Sequence, residues 1–314
     1  MKRYGLSVGL LLIGGLFFST SVLAQTAQDY FHNGNAYNRQ GNLSGAISEF
    51  TKAIQMKPDF AKAYNDRGVA YSKQGQFVQA IADYTKAIEL NPQDVAAYNN
   101  RGNAYNMQGN LSGAIADFTK AIQLRPQYAG AYNNRGNSYN MQGNLPGAIA
   151  DFTKAIELNP NVAGAYINRG NVYYKQGNWS GAIADFTKAI AISPNLKGVY
   201  TGRGLVYYSQ GRWLDAIADF SKAIQFNPKD VAAYSNRGNA FFKEGNFTQA
   251  ISDYTQVIAI NPAYAKIYNN RGLAYYNARD YNKAWADVHK AEELGSPVNP
   301  DFITALKRVS GRDR

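Results

Sequence analysis

AGAYNNRGNSYNMQGNLPGAIADFTKAIELNPNV, residues 129–162, is a 34-residue phrase that this chain writes repeatedly with small changes. Its closing proline recurs as Pro58, Pro92, Pro126, Pro160, Pro194, Pro228 and Pro262, each 34 residues after the last. Beginning each unit 31 residues before its proline gives 27–60, 61–94, 95–128, 129–162, 163–196, 197–230, 231–264 and a final, irregular 265–298. A period of this length that reads as two helices and a turn predicts a solenoid, in which each unit buries its apolar face only against its neighbours. Function is then to be sought on a repeated surface.

The positions of the phrase recur together. The eighth is always glycine, from Gly34 through Gly136 to Gly272, and the twentieth always alanine, from Ala46 through Ala148 to Ala284. Two such small residues let the first helix of a unit (helix A) lie close on the second (helix B). An aromatic ring holds the fourth and eleventh positions in every unit, and the twenty-fourth in the first seven, as knobs to fill the space between helices. Over residues 27–298 the chain resembles the tetratricopeptide repeat family. The resemblance implies an all-α, right-handed superhelical solenoid of eight helix-turn-helix repeats, with partners held in a concave groove lined by the A helices.

The helix ends are punctuated as regularly. Gly41, Gly75, Gly109, Gly143, Gly177, Gly211 and Gly245 stand between the two helices of a unit, where a left-handed residue ends helix A. Ser44, Ser112, Ser180 and Thr248 follow and are expected to cap helix B. Asn91, Asn159, Asn227 and Asn261 precede the prolines and suit the exit from it. The last repeat has Arg279-Asp280 at the turn and Val288 in place of the usual ring. Residues 299–314 are expected to add a capping helix with Phe302, Ile303, Leu306 and Val309 on one stripe, and a basic tail through Lys307, Arg308, Arg312 and Arg314.

Residues 1–24 follow other rules. Lys2 and Arg3, the apolar run from Gly5 to Phe18, and Val22-Leu23-Ala24 read as a cleaved signal peptide, with a core short of a membrane-spanning helix. Thr26-Ala27-Gln28-Asp29 then opens the array as a capping box. The mature array, 25–298 and its cap, is therefore expected in the periplasm or secreted, with no stable membrane span. The chain has no cysteine, which excludes a disulfide framework, a thiolate metal site and a lipid-acceptor residue. The formal charge of +11 falls to +9 once Lys2 and Arg3 leave. Much of the excess is one position of helix B: Lys52, Lys86, Lys120, Lys154, Lys188, Lys222 and Lys290. That stripe reads as a solvated outer face, with attraction to anionic envelope polymers or lipid headgroups as the alternative; nucleic acid is not an expected partner.

Two sets of polar residues remain. Arginine holds the seventh position from Arg67 to Arg271 and aspartate the twenty-third from Asp83 to Asp287, whereas the first unit replaces both, with Asn33 and Glu49. This joint change predicts an ion pair between the helices of each unit; seven separate anion sites are the alternative. The second set is written in carboxamides along helix A: Asn99 and Asn133 at the fifth position; Asn100, Asn134, Asn168, Asn236 and Asn270 at the sixth; Asn103, Asn137, Asn171 and Asn239 at the ninth. An asparagine both donates and accepts, so a row of them can grip successive peptide groups of an extended chain. The sixth-position row is similar to the asparagine ladder of the O-linked N-acetylglucosamine transferases, interrupted here by His32, Asp66 and Gly202. Tyr174, Tyr208, Phe242 and Tyr276 join it at the twelfth position in the later units, as core filling or as a ligand stripe. The expected function is a non-enzymatic, monomeric scaffold for a protein segment, without cofactor or metal, and with a glycan as the alternative ligand. His32 and His289 are the only histidines and lie in the first and last units, so neither offers a catalytic pair.

Overall fold

A computed structural model of the chain describes residues 25–196 and 198–312; the expected leader and Arg314 of the expected basic tail lie outside them. Every regular element among the described residues is an α-helix. The chain forms two compact units that part after Pro92. The first holds α1 (Ala27–Arg39), α2 (Leu43–Met56), α3 (Ala61–Lys73) and α4 (Phe77–Leu90). Here α2 packs between α1 and α3, around Phe31, Phe50 and Ile54.

The second unit holds six further helix pairs: α5 (Val95–Met107) with α6 (Leu111–Leu124), α7 (Ala129–Gln142) with α8 (Leu145–Leu158), and α9 (Ala163–Lys175) with α10 (Trp179–Ile192). They continue as α11 (Val199–Ser209) with α12 (Trp213–Phe226), α13 (Val231–Lys243) with α14 (Phe247–Ile260), and α15 (Ala265–Asn277) with α16 (Tyr281–Glu293). Each helix packs on the one before and the one after it, so the unit is a solenoid. The C-terminal α17 (Pro300–Ser310) closes it against α16, with Phe302 and Leu306 buried and Val309 left 40% exposed. Trp285 Nε1 donates to Ser310 Oγ (3.0 Å) and ties the cap to α16.

Residues 129–162 show why the phrase folds this way. A side chain on Gly136 would meet the Phe152 ring at 2.8 Å, so glycine is what lets α7 lie on that ring. Phe152 and Ala148 are completely buried beneath it. Burial of such a ring stabilises by about 1.5–3 kcal/mol, and the arrangement recurs in every repeat that carries one. Gly143 ends α7 with φ 84°, and Asn144 N donates back to Tyr139 O (2.8 Å), which satisfies a carbonyl of the last turn.

The helix B caps correct the sequence reading. Asn42, Asn110, Asn144, Asn178 and Asn246 are the N-caps, each accepting on Oδ1 from the amide three residues on, as Asn144 does from Gly147 (3.0 Å). Ser44, Ser112, Ser180 and Thr248 stand two residues later, already inside the helix, and Ser180 donates to the cap Asn178 instead. The exits hold as read: Asn159, Asn227 and Asn261 cap the C-termini, and their Oδ1 atoms accept from the amides two residues on. The capping box at Thr26 and Asp29 closes on both sides. No helix among the described residues is long and apolar enough to cross a membrane.

Candidate functional site

In the second unit the A helices touch one another in sequence: α5 with α7, α7 with α9, and on through α11, α13 and α15. No such series of contacts joins the B helices among the described residues, so the A helices lie at the inner radius. The carboxamide positions lie on this inner surface.

They bond to one another before they meet any ligand. Asn134 Nδ2 donates to Asn99 Oδ1 (3.0 Å), and Asn168 Nδ2 to Asn133 Oδ1 (3.1 Å). The sixth-position residue of one repeat thus holds the fifth-position residue of the repeat before. Asn99 is only 7% exposed, so it does not face a ligand as expected; it is the buried acceptor that orients Asn134. Asn133, half-buried, is the acceptor for Asn168 in the same way. Each donor keeps one N–H and its carbonyl oxygen. Asn100, Asn103, Asn137 and Asn236 are half-buried along the same surface and Asn171 is exposed.

The aromatic positions divide. Tyr174 is half-buried against Trp179 (ring centroids 5.5 Å) and shares a hydrogen bond with Ser209 of the next repeat (3.2 Å). Tyr276 is wedged between Tyr281 and Phe302 of the cap (5.9 and 5.6 Å). Tyr208 and Phe242, with Asn239 and Asn270, border one pocket of about 100 Å³ between α11, α13 and α15. Four residues named from sequence are thus brought together, while the others are strung along the unit one repeat at a time.

Three further residues complete the pocket: Lys243, Leu273 and Tyr254. Tyr254 belongs to helix B and is 2% exposed, yet its hydroxyl reaches through to the inner side and donates to Asn239 Oδ1 (2.8 Å). Asn270 Nδ2 donates to the same oxygen (3.2 Å). Both lone pairs of that carbonyl are therefore used, and Asn239 has only amide donors left. Burial pushes the Tyr254 phenol above the usual tyrosine range, aided by nearby Tyr208 and Asp253, and burial raises Tyr208 as well. The sequence signal for Tyr254 is its hydroxyl: the twenty-fourth position is a phenylalanine in most repeats and a tyrosine at 84 and 254.

The arginines are structural. Arg135 forks onto Asp151 through Nε and Nη2 (2.7 and 2.8 Å), and its Nη1 donates to Thr119 Oγ1 of the preceding repeat (3.0 Å). Its guanidinium carbon lies 5.7 and 5.8 Å from the Tyr132 and Tyr139 ring centroids. The same forked pair forms at Arg67, Arg101, Arg169, Arg203, Arg237 and Arg271, and Asn33 donates to Glu49 in the first repeat (3.4 Å). The hydrogen bonds to Asp151 raise the Arg135 pKa against the opposing effect of burial. At Asp287 burial outweighs the pull of Arg271 and raises the carboxyl. On helix B, Lys52, Lys86, Lys154 and Lys290 pair with a glutamate three residues away, which dilutes the basic stripe. Among the described residues no three His, Asp or Glu side chains are grouped to hold a metal ion.

Sequence models described as Tetratricopeptide repeat match residues 61–94 and 83–116, and one described as TPR repeat matches 34–75, 102–143, 136–177, 170–211, 204–245 and 238–278. The chain belongs to the tetratricopeptide repeat family. A comparison with curated protein sequences finds no match. Among solved structures, this TPR protein is similar to a tetratricopeptide repeat protein from Parabacteroides merdae, with TM-score 0.59 at 21% identity over 79% of this chain and 98% of that one. It is similar to YrrB, described as a TPR protein with an unusual peptide-binding site, with TM-score 0.51 at 24% identity over 59% and 95% of the two chains. A third is MamA, with TM-score 0.51 at 26% identity over 55% and 94%. These likenesses are of fold, the scaffold fold commonly used for protein interaction.

Proposed function

We propose that this TPR protein is a non-enzymatic scaffold that holds an extended protein segment along the inner surface of α5, α7, α9, α11, α13 and α15. The observation that carries this reading is the union of the two features on that surface. Asparagines, Asn134 and Asn168 among them held in place by their neighbours, present further amide donors and acceptors in every repeat of the unit except the one that α11 begins, and one apolar-walled pocket lies at the end of the series. A rigid row of carboxamides loses little entropy on binding a peptide backbone, and the pocket gives the row a fixed register. We place the protein in the cell envelope or outside it, assembling complexes there, on the strength of the leader-like residues 1–24. Mass spectrometry of the mature protein should then find a chain beginning at Gln25; an intact membrane-bound chain from Met1 would count against export.

A photo-crosslinking amino acid at position 171, on the exposed inner surface, tests the groove against the same probe at position 188 on helix B. Envelope proteins should be captured from 171 and not from 188, and the captured peptides should map to single extended segments. Capture from 188 alone would move the ligand to the basic outer face. The glycan alternative is weaker, because three of the four rings it would stack on pack against Trp179, Phe247 and Tyr281.

A further inference from the structure

We propose that the pocket between α11, α13 and α15 selects a branched aliphatic side chain, leucine, isoleucine or valine, that has an acidic residue beside it in the bound segment. This rests on the groove reading above and adds the sequence it prefers. The walls are the rings of Tyr208 and Phe242 and the side chain of Leu273, which stands 36% exposed. The space, about 100 Å³, is roomy enough for one branched aliphatic group.

The floor decides between an apolar and a polar occupant. Asn239 Oδ1 already accepts from Tyr254 and Asn270, so an aliphatic group entering the pocket does not strand that carbonyl. The remaining Asn239 amide donors suit a backbone carbonyl of the segment. The rim decides the flank. Lys243 is exposed and forms no ion pair among the described residues, although Glu244 follows it directly in the chain. No carboxylate is among the described residues that border the pocket, and Asp253, beside Tyr254 in the chain, is locked onto Arg237 (2.7 Å). An acidic residue next to the anchor therefore meets a lysine without a competing anion.

The test is selection of 12-residue peptides, displayed as internal segments without a free C-terminus, on the complete mature protein. Selected peptides should share a Leu, Ile or Val with an Asp or Glu one or two positions away. Leu273→Trp, which fills the pocket from an exposed position, should weaken the best peptide at least about tenfold, the effect of leaving one such side chain in water. Lys243→Glu should shift the selected flank from acidic to basic. Peptides that crosslink to position 171 yet show no aliphatic anchor, or bind Leu273→Trp unchanged, overturn the pocket assignment and leave the groove reading standing. Peptides that crosslink only to position 188 overturn the groove reading itself.

Discussion

Gly136 and Gly272 hold the same place in their repeats and meet different neighbours. A Cβ at 136 would lie 2.8 Å from the buried Phe152 ring; at 272 the nearest atoms are Asp287 Cβ at 3.4 Å and a carbonyl oxygen at 3.5 Å, because Val288 replaces the ring. Gly136→Ala should therefore destabilise by about 1–3 kcal/mol through overpacking. Gly272→Ala, with ordinary contacts, should release the helix propensity of alanine and stabilise by up to about 1 kcal/mol. Urea unfolding of the two variants checks the contrast, and equal losses at both sites would show that the ring is not the cause. Arg279 supplies the converse case. It is the one residue other than glycine with positive φ among those described, at 63°, where the other repeats use glycine. Arg279→Gly should stabilise by about 0.5–1 kcal/mol, since the left-handed penalty for a side chain is about 1–2 kcal/mol and glycine's greater freedom in the unfolded chain returns part of it. A fall in thermal midpoint would contradict this.

At the scale of elements, the forked arginine joins three helices: α7 carries it, α8 the aspartate, and α6 the threonine of the preceding repeat. With Asp151 6% exposed, Asp151→Ala leaves a half-buried guanidinium without its counterion and should cost about 3 kcal/mol. In a double-mutant cycle with Arg135→Ala the losses should fall short of additivity by at least about 1 kcal/mol. Strict additivity would mean the pair contributes nothing as a pair. This interaction was legible in the sequence because the first repeat changes both partners at once, to Asn33 and Glu49. Helix pairing was legible for a similar reason: the fit of Gly136 to Phe152 is decided within 34 residues and repeated. Bonds between repeats were harder to read. Nothing in Asn99 taken alone marks it as buried, since its burial depends on Asn134 reaching back from the next helix A. The pocket was half legible: Tyr208, Asn239, Phe242 and Asn270 lie on helix A faces. Tyr254 was missed because the twenty-fourth position reads as a ring that fills the space between helices, whereas here its hydroxyl carries through to Asn239 on the inner surface.

At the scale of the molecule, each compact unit contains one tyrosine at a position that buried phenylalanine fills in every other repeat but the last: Tyr84 in the first and Tyr254 in the second, both 2% exposed. Burial pushes both phenols above the ordinary range, so both stay protonated in the folded chain at a pH where the unfolded chain has lost those protons. The sign follows from proton counts. Above about pH 10 the unfolded state binds fewer protons than the native state, and stability falls as pH rises, by up to about 1.4 kcal/mol per pH unit for each tyrosine. Below pH 9 both states are protonated and the two residues give no pH dependence. Tyr84→Phe with Tyr254→Phe should therefore flatten the alkaline loss of stability between pH 10 and 12. Near neutrality the double variant should lose only about 0.5–1.5 kcal/mol for each of two hydrogen bonds, Tyr254 to Asn239 and Tyr84 with Ser72. Denaturant midpoints across that range, with Tyr30→Phe at the partly exposed start of the array as control, decide the matter. If the control flattens the profile as much as the double variant does, the alkaline sensitivity belongs to exposed phenols and not to the two buried ones.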